Sequence, residues 1–146
     1  MKLNTRMRYG TRAMLELALD YREGPTSIRE IADRQGLSAK YLEQLLSALQ
    51  RAGFVTAVRG SQGGYRLSRP PDQISLREIY DVFEGPGGFV PCVPDPSACE
   101  RSVFCVTRGT WVQMYEASTE VLGATTLADL VQRIPQKWTS APMYQI

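Results

Sequence analysis

The chain has 146 residues, 22% of them charged and 43% hydrophobic, with a formal net charge of +2 and no histidine. That length suits one ordinary domain, or a small domain plus an oligomerisation element, and the composition is that of a globular protein. No run approaches the roughly 18–20 apolar residues of a membrane span, and Glu16 and Asp20 interrupt the apolar positions of the first segment, so neither a span nor a secretory leader is expected.

The charge is unevenly spread. Residues 1–70 carry 12 Lys/Arg and 6 Asp/Glu, a balance of +6, while residues 71–146 carry 5 and 9, a balance of −4. A basic half joined to an acidic remainder suggests a polyanion-binding module attached to something else.

In chain order, Met7, Met14, Leu17, Ala18 and Tyr21 recur at helical spacing, which predicts a helix over 5–22 ended by Glu23-Gly24-Pro25. Ser27 and Glu30 form a capping box for a short second helix with Ile28, Ile31 and Ala32 on its apolar face. Gly36 supplies the tight turn after Gln35, and Ser38 caps a third helix, SAKYLEQLLSALQRAG. There Leu42, Leu45, Leu46 and Leu49 make one buried stripe, and Lys40, Tyr41, Glu43, Gln44, Ser47 and Arg51 lie opposite. Two helices joined by a short glycine turn are a helix-turn-helix.

FVTAVRG then reads as a strand, GSQGG as a turn and YRLSR as a returning strand, so a wing follows the helix-turn-helix. GSQGG lacks the Lys-Ser/Thr pair of a nucleotide-binding loop, which removes that reading. Pro70-Pro71 closes the unit, and SLREIYDVFEG (75–85) is another amphipathic helix. Residues 86–109 are rich in Pro and Gly and read as irregular loop. Helical periodicity returns with Trp111, Met114, Tyr115, Ser118, Val121 and Leu122, and TTLADLVQRI makes a short helix with Thr126 as cap. The last residues, PQKWTSAPMYQI, carry no strong signal. The expected organisation is a DNA-binding unit over 1–85, a cysteine loop over 86–106 and a dimerisation helix with a C-terminal segment over 107–146. The fold class is mainly α with a small β wing.

An α-helix fits the major groove of B-DNA, and polar side chains on it can read base edges. Gln44 can bond an adenine edge in two places. Lys40 can reach a guanine or a phosphate, and Tyr41 a phosphate or a thymine methyl. Glu43 can accept from a cytosine amino group but repels phosphate, which makes it a discriminator. Arg59 and Arg66 flank the wing and suit a narrow minor groove, and Arg6, Arg8 and Arg12 suit phosphates. The candidate DNA-binding set is Arg6, Ser38, Lys40, Tyr41, Glu43, Gln44, Arg59, Gly60, Gly63 and Gly64. Each alone could be an ordinary surface residue; the combination of basic half, three helices and basic wing points to double-stranded DNA.

The three cysteines, Cys92, Cys99 and Cys105, are spaced C-x6-C-x5-C. This is neither the C-x2-C pair of structural zinc sites nor a ferredoxin run. An odd number of thiols on one loop does not close a disulfide set and points to soft-metal or redox chemistry in a reducing, cytoplasmic setting. Arg101 and Arg108 lie close in sequence and favour thiolate over thiol. Buried or free thiols are the plainer reading. No nucleophile–base pair stands at a recognisable spacing, so an enzyme or a small electron carrier is the weaker alternative.

MKLNTRMRYGTRAMLELA, GPTSIREIADRQGLSAKYLEQLLSALQRAGFV, RGSQGGYRL and GATTLADL together resemble the bacterial repressor family that includes the iron–sulfur regulator IscR, the nitric-oxide sensor NsrR and the cysteine-metabolism repressor CymR. The likeness covers nearly the whole chain, with IscR as the nearest type. It implies a homodimer with a winged helix-turn-helix at each end. A long helix starting near Thr107 and running past Val121 would pair across the two-fold axis, with Trp111, Met114, Tyr115, Val121 and Leu122 as the interface.

The resemblance puts Lys40, Tyr41, Gln44 and Arg59 on DNA-contact positions and Cys92, Cys99 and Cys105 on the ligands of an iron–sulfur cluster, 2Fe-2S ahead of 4Fe-4S. Its departures matter. IscR-like chains have a histidine three residues after the last cysteine, where this chain has Arg108, a poor ligand because it stays protonated. NsrR-like chains of one type use an N-terminal aspartate, near Arg8 here. CymR-like chains lack the cysteines, although APMYQI resembles their C-terminus. The fourth ligand is therefore unassigned. Asp95, Glu100, Thr107, a partner carboxylate or a small molecule could fill it. A zinc, thiol-redox or nitric-oxide sensor on the same scaffold is the alternative. No small-molecule substrate and no membrane partner are expected.

Overall fold

The computed structural model describes residues 3–85, 87 and 89–135. Pro86, Gly88 and the C-terminal QKWTSAPMYQI, with its APMYQI likeness, lie outside the described residues. Among the described residues, six α-helices and one hairpin follow in the order α1 (Thr5–Leu19), α2 (Ile28–Gln35), α3 (Ala39–Arg51), β1 (Val55–Val58), β2 (Gly64–Leu67), α4 (Leu76–Glu84), α5 (Arg108–Ala124) and α6 (Leu127–Arg133).

α1 is the central helix. Met7, Ala13, Met14, Leu17 and Ala18 are buried against α3, α4 and α6. It ends at Leu19, three residues before the expected limit, because a turn held by Glu23 N–H donating to the Asp20 carbonyl replaces its last coil. The leucine stripe of α3 is fully buried: Leu42, Leu45, Leu46 and Leu49 are each 0% exposed. At about 1.5–3 kcal/mol for each such side chain, this stripe anchors α3 firmly in the core. Side-chain caps set the helix starts. Ser27 with Glu30, Ser75 with Glu78 and Thr126 with Asp129 form capping boxes, and Ser38 accepts from the Tyr41 N–H at 3.2 Å.

Gly36 adopts φ 61°, ψ 36°, the left-handed conformation that turns the chain between α2 and α3. β1 and β2 pair antiparallel, Val55 opposite Leu67 and Val58 opposite Gly64. The wing does not hang free. Thr26 and Tyr65 exchange two backbone hydrogen bonds of 2.9 Å each, docking β2 on the segment that leads into α2. A Cβ at Gly64 would meet the Thr26 backbone, 2.5 Å from its carbonyl carbon, so this close approach requires glycine.

The segment after the loop divides. α5 packs on α4 and buries none of its residues completely, whereas α6 returns to the core, where Leu127 is 0% exposed and its N–H donates to the Ile74 carbonyl at 2.9 Å. No helix among the described residues is long and apolar enough to cross a membrane.

Candidate nucleic-acid interface and cysteine loop

The predicted DNA-reading residues lie on α3, at its cap and on the wing. Lys40, Glu43 and Gln44 are exposed on α3, Ser38 is exposed at its cap, and Arg59, Gly60 and Arg66 are exposed on the wing. Tyr41 is half-buried. Its ring meets Tyr9 edge-on, with centroids 6.0 Å apart, and Tyr9 in turn lies under the guanidinium of Arg12 at 5.0 Å and beside that of Arg8 at 6.0 Å. α1 and α3 are thus joined at the surface by an aromatic pair flanked by cations. Gly63 donates its N–H to the Gly60 carbonyl and closes the wing turn, while Gly64 faces Thr26 rather than the wing tip.

The arginines sort into two groups. Arg34 pairs with Glu16 and Asp20, Arg69 with Glu78, and Arg77 with Asp81. Among the described residues, Arg6, Arg51, Arg59 and Arg66 have no carboxylate within ion-pair distance. These four sit on α1, α3 and the wing; Arg8, Arg22, Arg29, Arg101, Arg108 and Arg133 likewise make no ion pair among the described residues. Arg12 is used differently from the sequence reading: Nε and Nη2 donate to the Gln35 side chain at 2.5 Å and its carbonyl at 3.0 Å, so much of its fork is a brace inside the protein.

That brace belongs to a polar network that the sequence reading missed. Glu16 is 3% exposed, among the buried apolar residues of α1. It accepts from the Gln35 side-chain amide and from Arg34 Nη1, which also reaches Asp20 at 2.8 Å; Asp20 further accepts from Thr26. The hydrogen bond to Asp20 raises the pKa of Arg34 against the effect of its partial burial. Gln35 is the residue before the Gly36 turn, so the network fixes that turn on α1. Its sequence signal is a polar stripe at i, i+4 and i+8, Arg12, Glu16 and Asp20, running along a buried helix.

The cysteine loop leaves the end of α4 and enters α5. All three thiols are free; Cys99 is exposed, Cys92 and Cys105 are half-exposed. Cys105 Sγ lies 3.2 Å from the Thr107 hydroxyl, which, with the N–H groups of Thr107 and Arg108, holds this thiol below its ordinary pKa. Arg108, in the place where the resemblance expects a histidine, closes the neck of the loop instead. Its Nε donates to the Cys92 carbonyl at 2.9 Å and its N–H to the Cys105 carbonyl at 3.2 Å. Asp95 spends its carboxylate on Ser97, whose hydroxyl and N–H hold its pKa down. Ser102 anchors the middle through a 2.6 Å bond to the Pro96 carbonyl. The donors are soft thiols on one chain segment, which fits an iron–sulfur cluster chemically. Among the described residues, though, no three Cys, Asp or Glu side chains converge on one point.

The apolar stripe of α5 splits. Trp111, Met114 and Val121 face outward, and Val121 is 66% exposed. Tyr115 turns inward. Its hydroxyl accepts from Arg77 Nη2 at 2.8 Å and its ring lies 5.4 Å from that guanidinium, which Asp81 holds from the other side. Leu122 packs on the chain's own core. On the loop, Val103, Phe104 and Val106 extend the outward apolar run.

A wing, a three-helix scaffold and unpaired arginines on the recognition side define a winged helix-turn-helix transcription regulator. The chain matches the Rrf2 family model, described as an iron-dependent transcriptional regulator, over residues 3–133, and it belongs to that family. It is similar to Rrf2 of Nitratidesulfovibrio vulgaris, 40% identical over 90% of this chain and 88% of that one. Among solved structures it resembles CymR, the global cysteine regulator of B. subtilis, with 41% identity, TM-score 0.79 and coverage of 92% and 99%. It also resembles T. potens IscR, with 39% identity, TM-score 0.76 and coverage of 95% and 96%. These relatives are transcription regulators and not enzymes, and this chain is a DNA-binding regulator of the same kind.

Proposed function

We propose that the protein is a cytoplasmic homodimeric repressor whose cysteine loop senses iron–sulfur or redox status and sets operator affinity. The observation that carries this reading is the position of the three thiols. They lie on one loop strung between the end of α4, which packs on α1, and the start of α5, whose outward face bears Trp111, Met114 and Val121. Cys92, Cys99 and Cys105 would hold a cluster, 2Fe-2S ahead of 4Fe-4S, and such a cluster supplies a reversible, redox-sensitive tie between its ligands. Arg108 would neutralise part of its negative charge and keep the loop neck closed. Lys40, Tyr41, Glu43 and Gln44 read the major groove. Arg59 and the wing reach the minor groove. Two copies read a near-palindromic operator.

A second reading has its own support. The ligand thiols are not gathered at one point, and Cys105 is an accessible thiol hydrogen-bonded by Thr107. That arrangement suits a regulator that senses oxidants by thiol chemistry without a cluster. Anaerobic purification with iron and sulfide counting separates the two. A coloured protein that bleaches on Cys92→Ala supports the cluster. A colourless protein with unchanged operator binding in air and under reductant refutes both.

A further inference from the structure

We infer that a cleft between the first turn of α1 and the flank of α3 seats one backbone phosphate of the bound DNA, gripped from two sides by Arg6 and Arg51. The inference rests on the reading of α3 as the recognition helix and adds a contact that neither the motif nor the wing supplies. The cleft has a volume of about 450 Å³ and is lined by Arg6, Tyr41, Gln44, Leu45, Ser47 and Arg51. Two of its walls, Tyr41 and Gln44, are base-reading candidates, so the cleft opens beside the surface that would face the groove.

Its lining combines the buried Leu45 with two arginines, one from each helix. Neither makes an ion pair with a carboxylate among the described residues. Both are also held in place. Arg51 Nη1 donates to the Ser47 hydroxyl, one turn earlier on α3, at 2.7 Å, which leaves its remaining donors to an incoming anion. Arg6 rests 5.8 Å over the ring of Phe83. Glu84, beside this first turn, accepts from the Asn4 N–H at 2.9 Å and makes no ion pair with Arg6. Two planar guanidinium forks at one recess offer a phosphate more directed donors than a single flexible lysine does. Phosphate contacts of this kind fix the register of a recognition helix without reading sequence.

The test measures binding of full-length protein to two duplexes of about 30 base pairs, long enough for two half-sites. One has random sequence and the other is selected from a random pool for tight binding. Each is titrated over a range of salt. Arg6→Gln and Arg51→Gln each weaken both duplexes by the same factor, about three- to tenfold. The double variant loses about 1.8 from the slope of log K against log salt, about 0.9 for one phosphate at each of the two protomers. Ser47→Ala gives a smaller loss in the same direction. Thermal unfolding checks that the variants stay folded. A slope loss of about 3.6 in the double variant means two separate phosphates at each protomer and overturns the shared grip, as does a loss confined to the selected duplex. Unchanged affinity in both single variants overturns the cleft while Gln44→Ala can still weaken the selected duplex. Absence of salt-dependent binding by the unaltered protein overturns the DNA reading itself.

Discussion

Replacing Gly10 with alanine tests whether the packing of α1 on α4 is as tight as described. In an open helical position Gly→Ala stabilises by about 1 kcal/mol. Here the new Cβ would lie 2.5 Å from Phe83 Cζ and 3.1 Å from Cδ2, and closer still to Cε2. Carbon atoms at optimal separation sit about 3.5–4.0 Å apart, so the ring must move by about 1 Å or more. Phe83 is 9% exposed and lies under Arg6, so it has little room to do so. Overpacking of this kind costs about 1–3 kcal/mol, which exceeds the propensity gain in most of its range. The net expectation is a loss of up to about 2 kcal/mol, read as a fall in Tm of up to roughly 8 °C by scanning calorimetry. A double-mutant cycle with Phe83→Leu removes the clash, so Gly10→Ala made in that background should be neutral or stabilising. A higher Tm for Gly10→Ala alone would refute the reasoning.

At the reading surface, Gln44→Ala should weaken binding to a selected operator by about 1–3 kcal/mol and hardly change binding to random duplex, measured by fluorescence anisotropy. Arg59→Ala should lose most on operators with an A·T-rich segment under the wing, checked by comparing two operators that differ only there. Ser75→Ala, which removes the cap of α4, should cost about 1 kcal/mol in urea unfolding. Ser27 N–H, and then its hydroxyl, lowers the pKa of Glu30, and the Thr126 N–H does the same for Asp129. Their folded pKa values lie below the unfolded ones, so this stability is present above the unfolded carboxylate values and lost as pH falls through the folded ones. With no histidine to titrate, stability should stay flat from about pH 7 to about pH 5 and fall below about pH 4 in an acid titration followed by circular dichroism.

The parts of the fold legible in the sequence were those set by residues near one another. The leucine stripe of α3, the Ser27–Glu30 box, the Ser38 cap and the Gly36 turn each need only a window of a few residues. The Thr26–Tyr65 bridge and the Arg77–Tyr115 bond join residues 39 and 38 positions apart, and nothing local announces them. Helical spacing grouped Trp111, Met114, Tyr115, Val121 and Leu122 as one face. α5 carries apolar residues on two sides, and period alone does not say which side meets α4. Arg12 read as a phosphate contact because its charge was visible and its partner, Gln35, was not.

The bridge between Ser75 and Thr126 has a consequence for how such a regulator can change over evolutionary time. Leu76 N–H donates to the Thr125 carbonyl at 2.8 Å, so the chain leaves and rejoins the same spot. Everything from α4 to the end of α5 is a detour pinned at its base. Doubling the length of a flexible loop costs only about 0.6 kcal/mol in closure entropy. Within that detour the segment between α4 and α5 can be lengthened, trimmed or given different side chains while the helices that meet the operator keep their arrangement. One reading head can therefore be paired with many kinds of detector.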